Sequence, residues 1–255
     1  MDHLPLRPPG PADDAATAAI VAHAGVRARV ADLLAGIDEA EAAATVVPAC
    51  PAWSVTDTLA HVVGVCIDIV DGNIGDDVGT AAWADSHVDR FASLGVAGLL
   101  DRWTATGPVI DSLAGMLPGQ IASQFCFDAT THEHDLRGAL GRPGGRDSDA
   151  VEVGLRFMEG ALDDAVRRAG LAPVVLVTGQ DRVVVGAPGG PGDVGGLAID
   201  DLATLEATRF DLLRSIGGRR SVAQVEALAW STDPAPYTSL FRIGPLSPPD
   251  DDLVE

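Results

Sequence analysis

Aromatic side chains are scarce in this chain, at 4% of its 255 residues. A core must therefore be assembled mainly from Ala, Val and Leu, which belong to the 47% of apolar residues. Small side chains let helices approach closely, and Ala has the best helix propensity, so such a composition suits packed helices. Basic residues are also few: 17 Lys and Arg face 37 Asp and Glu, for a formal net charge of −20. A surface of that sign repels phosphate backbones and anionic headgroups, which argues against nucleic acid and membrane as partners. The three cysteines, Cys50, Cys66 and Cys126, are odd in number and lack CxxC spacing, which argues against a disulfide framework or a zinc ribbon. No run of about 18 apolar residues is present to cross a membrane. The opening MDHLPLRPPGPADDAA shows no apolar stretch behind a basic start, so no signal peptide is expected. GxSxG, the P-loop and a GxGxxG after a strand are missing too. These absences leave a cytoplasmic protein with small-molecule chemistry as the expectation, as a monomer or homodimer.

What is present reads as helix after helix. A first helix is expected from Asp13 to about Asp38. Pro48 and Pro51 make VVPACPAWS a loop, since proline forbids helix continuation. Ser54-Val-Thr-Asp57 then opens a second helix with a capping signature, running to about Asp71. A third is expected from about Asp85 to Thr106, broken or kinked at Gly107-Pro108, with a further piece to about Leu117. A fourth runs from about Gln120 to Leu140, stopped by Gly141 and Pro143. A fifth, capped by Ser148, ends at Arg167, Arg168 and Gly170. Beyond it the character changes. PVVLVTGQDRVVVG has the pattern of a hairpin, GAPGGPGDVGG that of a loop, and 200–217 and 221–230 look helical again. The expected architecture is a mainly α protein, a helical bundle over 1–170 followed by a small α/β domain over 171–255.

Placing polar residues on helical wheels, at about 100° per residue, locates the first candidate site. On the fourth helix, Ile121, Phe125, Ala129, Leu136 and Ala139 make an apolar stripe, and Asp128 and His132 fall inside it. Burial of a carboxylate and an imidazole among apolar groups needs compensation. Four residues apart, they lie one above the other, which suits two ligands on one metal ion and equally suits an Asp–His hydrogen bond. Asp135 lies at the edge of the stripe, and His134 on the opposite, outward side. On the second helix Val55, Leu59, Val62, Val63, Cys66 and Val70 form the stripe, and His61 lies away from it beside Asp57 and Asp68; the wheel alone makes it an exposed histidine. His23 falls on the apolar side of the first helix, as a core or pocket histidine. His3 and His87 fall in segments expected to be terminal or exposed. Trp53 is expected to pack its loop.

Three strings carry a family resemblance. CPAWSVTDTLAHVVG (50–64) resembles the P-x-W-[ST]-V-x-D-x-x-x-H signature of mycothiol-dependent maleylpyruvate isomerases and their relatives, within the wider DinB/YfiT-like metal-binding four-helix bundles. FDATTHEHDLRGALGRP (127–143) is similar to the later helix of that family, where an acidic residue, three spacers and a histidine precede x-x-D-L-x-x-A-x-G. FDLLRSIGGRRSVAQVEALAW (210–230) is similar to its closing LLRxxxGRRSxxQ region. The likeness spans about 14–241, in the expected order. It implies a DinB/YfiT-like bundle and a divalent metal, zinc foremost, held by His61, Asp128 and His132. Asp128 stands where the best-known isomerases have Glu, one methylene longer.

The resemblance further implies mycothiol as a thiol cosubstrate. The reaction would be isomerisation, or transfer of the thiol, on a small electrophilic and possibly carboxylate-bearing substrate. Arg137 is a candidate carboxylate-binding catalytic residue, and Arg219 and Arg220 are candidates for cofactor binding, since guanidinium pairs well with carboxylates. Each also reads as a helix-end surface charge. Asp57 and Asp135 are candidates to orient a ligating imidazole. Two other readings stay open: a thiol-independent metal hydrolase, lyase or cyclase, and a non-catalytic stress-response or regulatory bundle.

Overall fold

The structure is a computed structural model, and it describes residues 12–179, 181–192, 194, 196–241 and 248–255. His3 and the Pro-rich opening lie outside the described residues. The chain divides into two compact units, one formed by 12–154 with the last two residues, the other by 155–253.

The first unit is built from α1 (Ala12–Leu34), α2 (Glu39–Ala44), a two-stranded ribbon of β1 (Val46–Val47) and β2 (Cys50–Ser54), then α3 (Val55–Asp71), α4 (Ala81–Phe91), α5 (Val96–Ser112) and α6 (Gly119–Ala139). α1 packs chiefly on α6, and α3 on α4, α5 and α6. Between them lies a core of small aliphatics with few large groups, among them Ile20, Leu59, Leu99 and Trp103. The low aromatic content is met as expected, by close helix contact.

The local signals at α3 are satisfied in full. Ser54 Oγ accepts the Asp57 backbone N–H at 3.2 Å, and the Asp57 carboxylate accepts the Ser54 N–H at 2.9 Å, closing a capping box. Asp57 is thus taken up at the helix start, where its Oδ2 also accepts from the Ser54 hydroxyl at 2.7 Å. The VVPACPAWS loop is in fact the ribbon, with Val46 opposite Ser54 and Val47 opposite Cys50 around an irregularity; the prolines exclude helix but not an edge ribbon.

The expected third helix is two. α4 ends at Phe91, and α5 begins where the Glu39 carboxylate accepts the N–H groups of Val96 and Ala97 at 2.6 and 3.0 Å. That remote cap satisfies amides a helix start leaves open. Conversely, Gly107-Pro108 does not end α5, which runs on to Ser112. Gly107 serves close approach instead: a Cβ there would come within 2.5 Å of the Arg27 guanidinium carbon, and that guanidinium pairs with Asp111 at 3.0 Å.

The division between the units falls within α7 (Asp149–Ala169), ahead of residue 171 where the composition changes. The second unit holds a four-stranded sheet in the order β4-β3-β5-β6, from β3 (Val174–Val177), β4 (Arg182–Val185), β5 (Ala203–Glu206) and β6 (Ala229–Trp230). β3 and β4 form the expected hairpin, with Val174 opposite Val185 and Val177 opposite Arg182. The stretches read as continuous helix over 200–217 and 221–230 each combine a strand with a short helix. β5 pairs in parallel with β3 before α8 (Arg209–Ile216), and β6 follows α9 (Val222–Glu226); α10 (Ala235–Thr238) comes last. Within this unit Asp163 of α7 accepts the Gly186 N–H at 2.7 Å beyond the end of β4. No helix among the described residues is long and apolar enough to cross a membrane.

Candidate metal centre

α3 delivers His61 and α6 delivers Asp128 and His132 to one point. His61 Nε2 lies 3.6 Å from Asp128 Oδ1, and His132 Nε2 lies 3.7 Å from the same oxygen. The three ligand atoms are all within 4.8 Å of one another. With bonds of about 2.0–2.1 Å, a tetrahedral ion holds its ligands about 3.4 Å apart, and each histidine nitrogen stands a few tenths of an ångström from that spacing to the Asp128 oxygen. The two histidines are buried, and the Asp128 side chain, 32% exposed, is the open side.

The wheel placed His61 outward, and the structure corrects it. His61 is buried, and so is Asp68 on the same side of α3, because this polar face is turned inward toward α4 and α6. His134 is likewise buried rather than outward; α6 is covered on every side from Phe125 to Leu136 apart from Asp128, so a single apolar stripe does not define its interior. Trp53 does more than pack its loop. Its ring stands 5.0 Å from that of His61 and 6.0 Å from that of His132, with its indole N–H directed to Asp85.

Behind the histidines stand further polar groups. His132 Nδ1 lies 3.1 Å from Asp135 Oδ2, short of good hydrogen-bond geometry, and the Cys50 thiol donates to the same oxygen at 3.7 Å. His61 Nδ1 lies 3.1 Å from Nδ1 of His87. His87, expected to be exposed, is fully buried, and its Nε2 lies 2.8 Å from Asp68 Oδ2. Arg90 binds both Asp68 oxygens, at 2.7 and 3.2 Å, and Asn73 adds a bond at 3.2 Å. Burial alone would raise the Asp68 carboxyl; the bonds from Arg90, His87 and Asn73 override it and carry the pKa down to about 2. Burial holds His87 below the ordinary histidine value despite that carboxylate. Sequence reasoning missed His87. Its only signal was the i, i+3 spacing to Arg90 on one face of α4, which gives no sign of what that face meets.

The remaining candidates have partners of their own. The Arg137 guanidinium donates to buried Glu133 at 3.0 Å and to the Arg142 carbonyl at 3.3 Å. Arg29 holds the same Glu133 from α1, at 2.7–3.1 Å. Arg219 and Arg220 belong to the second unit, where Arg219 is buried and Arg220 stands 5.8 Å over the Phe210 ring and 3.8 Å from Asp211. Cys66 and Cys126 are buried, and burial pushes both thiols up to about 12, so neither is a nucleophile.

Among solved structures, the mycothiol-dependent maleylpyruvate isomerase aligns over 88% of this chain and 94% of its own, with a TM-score of 0.55 at 15% identity. The chain has its fold. A histidine-to-alanine mutant of the maleylpyruvate isomerase aligns with the same figures, a TM-score of 0.55 over 88% of this chain and 94% of its own at 15% identity. No protein-family model and no curated protein sequence matches the chain. The mainly α architecture expected from the sequence, helices followed by a small α/β part, is therefore observed, and the likeness to that isomerase extends into both units.

Proposed function

We propose that this chain is a metal-dependent enzyme that uses a low-molecular-weight thiol, mycothiol foremost, either to isomerise a small electrophilic substrate or to transfer the thiol to it. The observation that carries the reading is the convergence of His61 Nε2, Asp128 Oδ1 and His132 Nε2 from two helices. Two neutral imidazoles and one carboxylate are a donor set suited to a divalent ion, zinc foremost, and three protein ligands leave a position open. Support for the thiol comes from what the protein of like fold is named for, mycothiol-dependent maleylpyruvate isomerisation.

An ion held there would lower the pKa of a thiol on its open position and so supply a thiolate at neutral pH. The residues of the chain do the rest. His61 and His132 close the inner side of the site. Asp128 faces the solvent side, where substrate and thiol must enter. The Trp53 ring, 5.0 Å from His61, gives one wall an apolar face that excludes water. Cis–trans isomerisation then requires addition of the thiol sulfur to a conjugated double bond, rotation about the resulting single bond, and loss of the same thiol. Arg137 is already bound to Glu133, so its use for a substrate carboxylate requires exchange of that partner. Arg219 and Arg220 stay candidates for binding the thiol cosubstrate, on the resemblance of their segment.

Elemental analysis of the purified protein beside His132→Ala tests the centre: stoichiometric metal is expected in the wild type and its loss in the variant. Metal retained at wild-type level by His132→Ala would overturn the assigned site. Incubation of the metal-loaded protein with mycothiol and a conjugated unsaturated acid is expected to give isomerisation or a thiol adduct. Neither product, together with no measurable mycothiol binding, would overturn the thiol reading.

A further inference from the structure

His61, Gly64 and Asp68 lie at i, i+3 and i+7 on α3, so they share one face of that helix. The middle position of the row has no side chain. The imidazole of His87, from α4, fills that gap: a Cβ on Gly64 would come within 2.5 Å of its Cγ. The inserted ring spans the row, with Nδ1 3.1 Å from His61 and Nε2 2.8 Å from Asp68. Trp83 holds the ring from the side, with centroids 4.4 Å apart and nearly perpendicular planes.

The proton positions along this row follow from one fixed end. Asp68 is buried and gripped on both oxygens by Arg90, so it is an anion with acceptors only. The proton between Asp68 and His87 therefore resides on His87 Nε2. A neutral His87 then offers a bare Nδ1. The contact between the two Nδ1 atoms needs one hydrogen, and His61 must supply it. His61 protonated on Nδ1 has a bare Nε2, the atom that faces Asp128 and His132.

We infer that His87, anchored by Asp68 and Arg90 and admitted by Gly64, is a positioning residue that sets the tautomer and ring orientation of the metal ligand His61. Ligating histidines commonly give their second N–H to an acceptor that fixes them; here the acceptor is a second histidine, and the carboxylate stands one residue further back. The inference deepens the metal reading and rests on it, but the tautomer can be read without a metal.

The test uses the full chain, metal-free and then titrated with cobalt(II) against a competing chelator. Nitrogen-15 shifts of the imidazoles, assigned with His61→Ala, are expected to show His61 protonated on Nδ1 in the metal-free wild type. His87→Ala is expected to convert His61 to the Nε2-protonated form or a mixture, and to weaken cobalt binding about 10–100-fold. His87→Gln, whose amide can accept from His61 and donate to Asp68, is expected to recover most of that loss and the wild-type visible spectrum. Gly64→Ala, which expels the ring while keeping every polar group, should resemble His87→Ala. Circular dichroism identifies any variant that fails to fold, and His87→Gln then stands as the deciding variant against Gly64→Ala. An unchanged His61 tautomer with unchanged cobalt affinity in folded His87→Ala would overturn the inference while leaving the metal centre standing. A wild type that shows the expected tautomer but takes up no cobalt would overturn the metal centre and, with it, the role assigned to His87.

Discussion

His23 offers the sharpest quantitative prediction, because it is a fully buried histidine with almost nothing to stabilise a charge. Its ring stacks on Phe125 with centroids 4.0 Å apart and meets the edge of Trp103 at 6.0 Å. Nε2 has only the Cys66 sulfur at 3.7 Å, and Nδ1 is buried without a hydrogen bond. Burial, with Arg27 second, lowers its pKa from 6.5 to about 3, against a small opposing pull from Asp128. A base harder to protonate when folded costs stability as pH falls, since the unfolded chain takes up the proton first. The penalty begins as pH drops through 6.5 and is complete near 3. At about 1.4 kcal/mol per unit it totals roughly 4–5 kcal/mol, and roughly 3 kcal/mol by about pH 4. That is a large part of the roughly 5–15 kcal/mol that holds a typical domain folded. His23→Leu removes the titration, fills similar volume and leaves no unpaired nitrogen. The assay is urea unfolding of metal-free protein at about pH 7 and about pH 4, followed by tryptophan fluorescence. The wild type should lose about 3 kcal/mol more than the variant between the two conditions. Equal losses in both proteins would refute the buried, neutral assignment of His23.

Two further substitutions probe the scaffold around the site. Glu133 is wholly buried and held by Arg29 and Arg137, so Arg29→Leu, which strands half of a buried carboxylate, should cost about 3 kcal/mol in urea unfolding; a change near zero would mean that Arg137 alone suffices. Ser54→Ala opens the capping box of α3 and should cost about 1 kcal/mol in the same assay, with metal affinity changed less than by His87→Ala; a larger loss of metal than of stability would mean that the cap also sets the placement of His61.

How much of the site could be read in advance depended on whether its signal was local. Asp128 and His132 were legible because both lie on one face of one helix, and a polar pair in an apolar stripe is visible without tertiary knowledge. The capping box at Ser54 and Asp57 is complete within four residues, and so was visible for the same reason. His61 was misplaced because a wheel reports which face is apolar, not which face is inside. The face of α3 opposite its aliphatic stripe is interior too, and its polar groups are paired there. His87 was invisible because its partners come from another helix and its space from a glycine. In the C-terminal unit ATLE was read as helix, since Ala, Leu and Glu favour it; pairing with β3 overrides a four-residue preference. Gly107-Pro108 was read as a break or kink because the tight fit of Arg27 over Gly107 cannot be seen from α5 alone.

The Glu39 carboxylate that takes the first amides of α5 is 57 residues from Val96 in the chain. Its bond closes a long loop, and the entropy of that closure must be met before the bond can form. The first turn of α5 therefore depends on distant association more than on the helix propensity of its own residues. Opening of those two amides to exchange with solvent would report separation of α2 from α5, an event of tertiary size, where a locally capped helix would report only the fraying of its end.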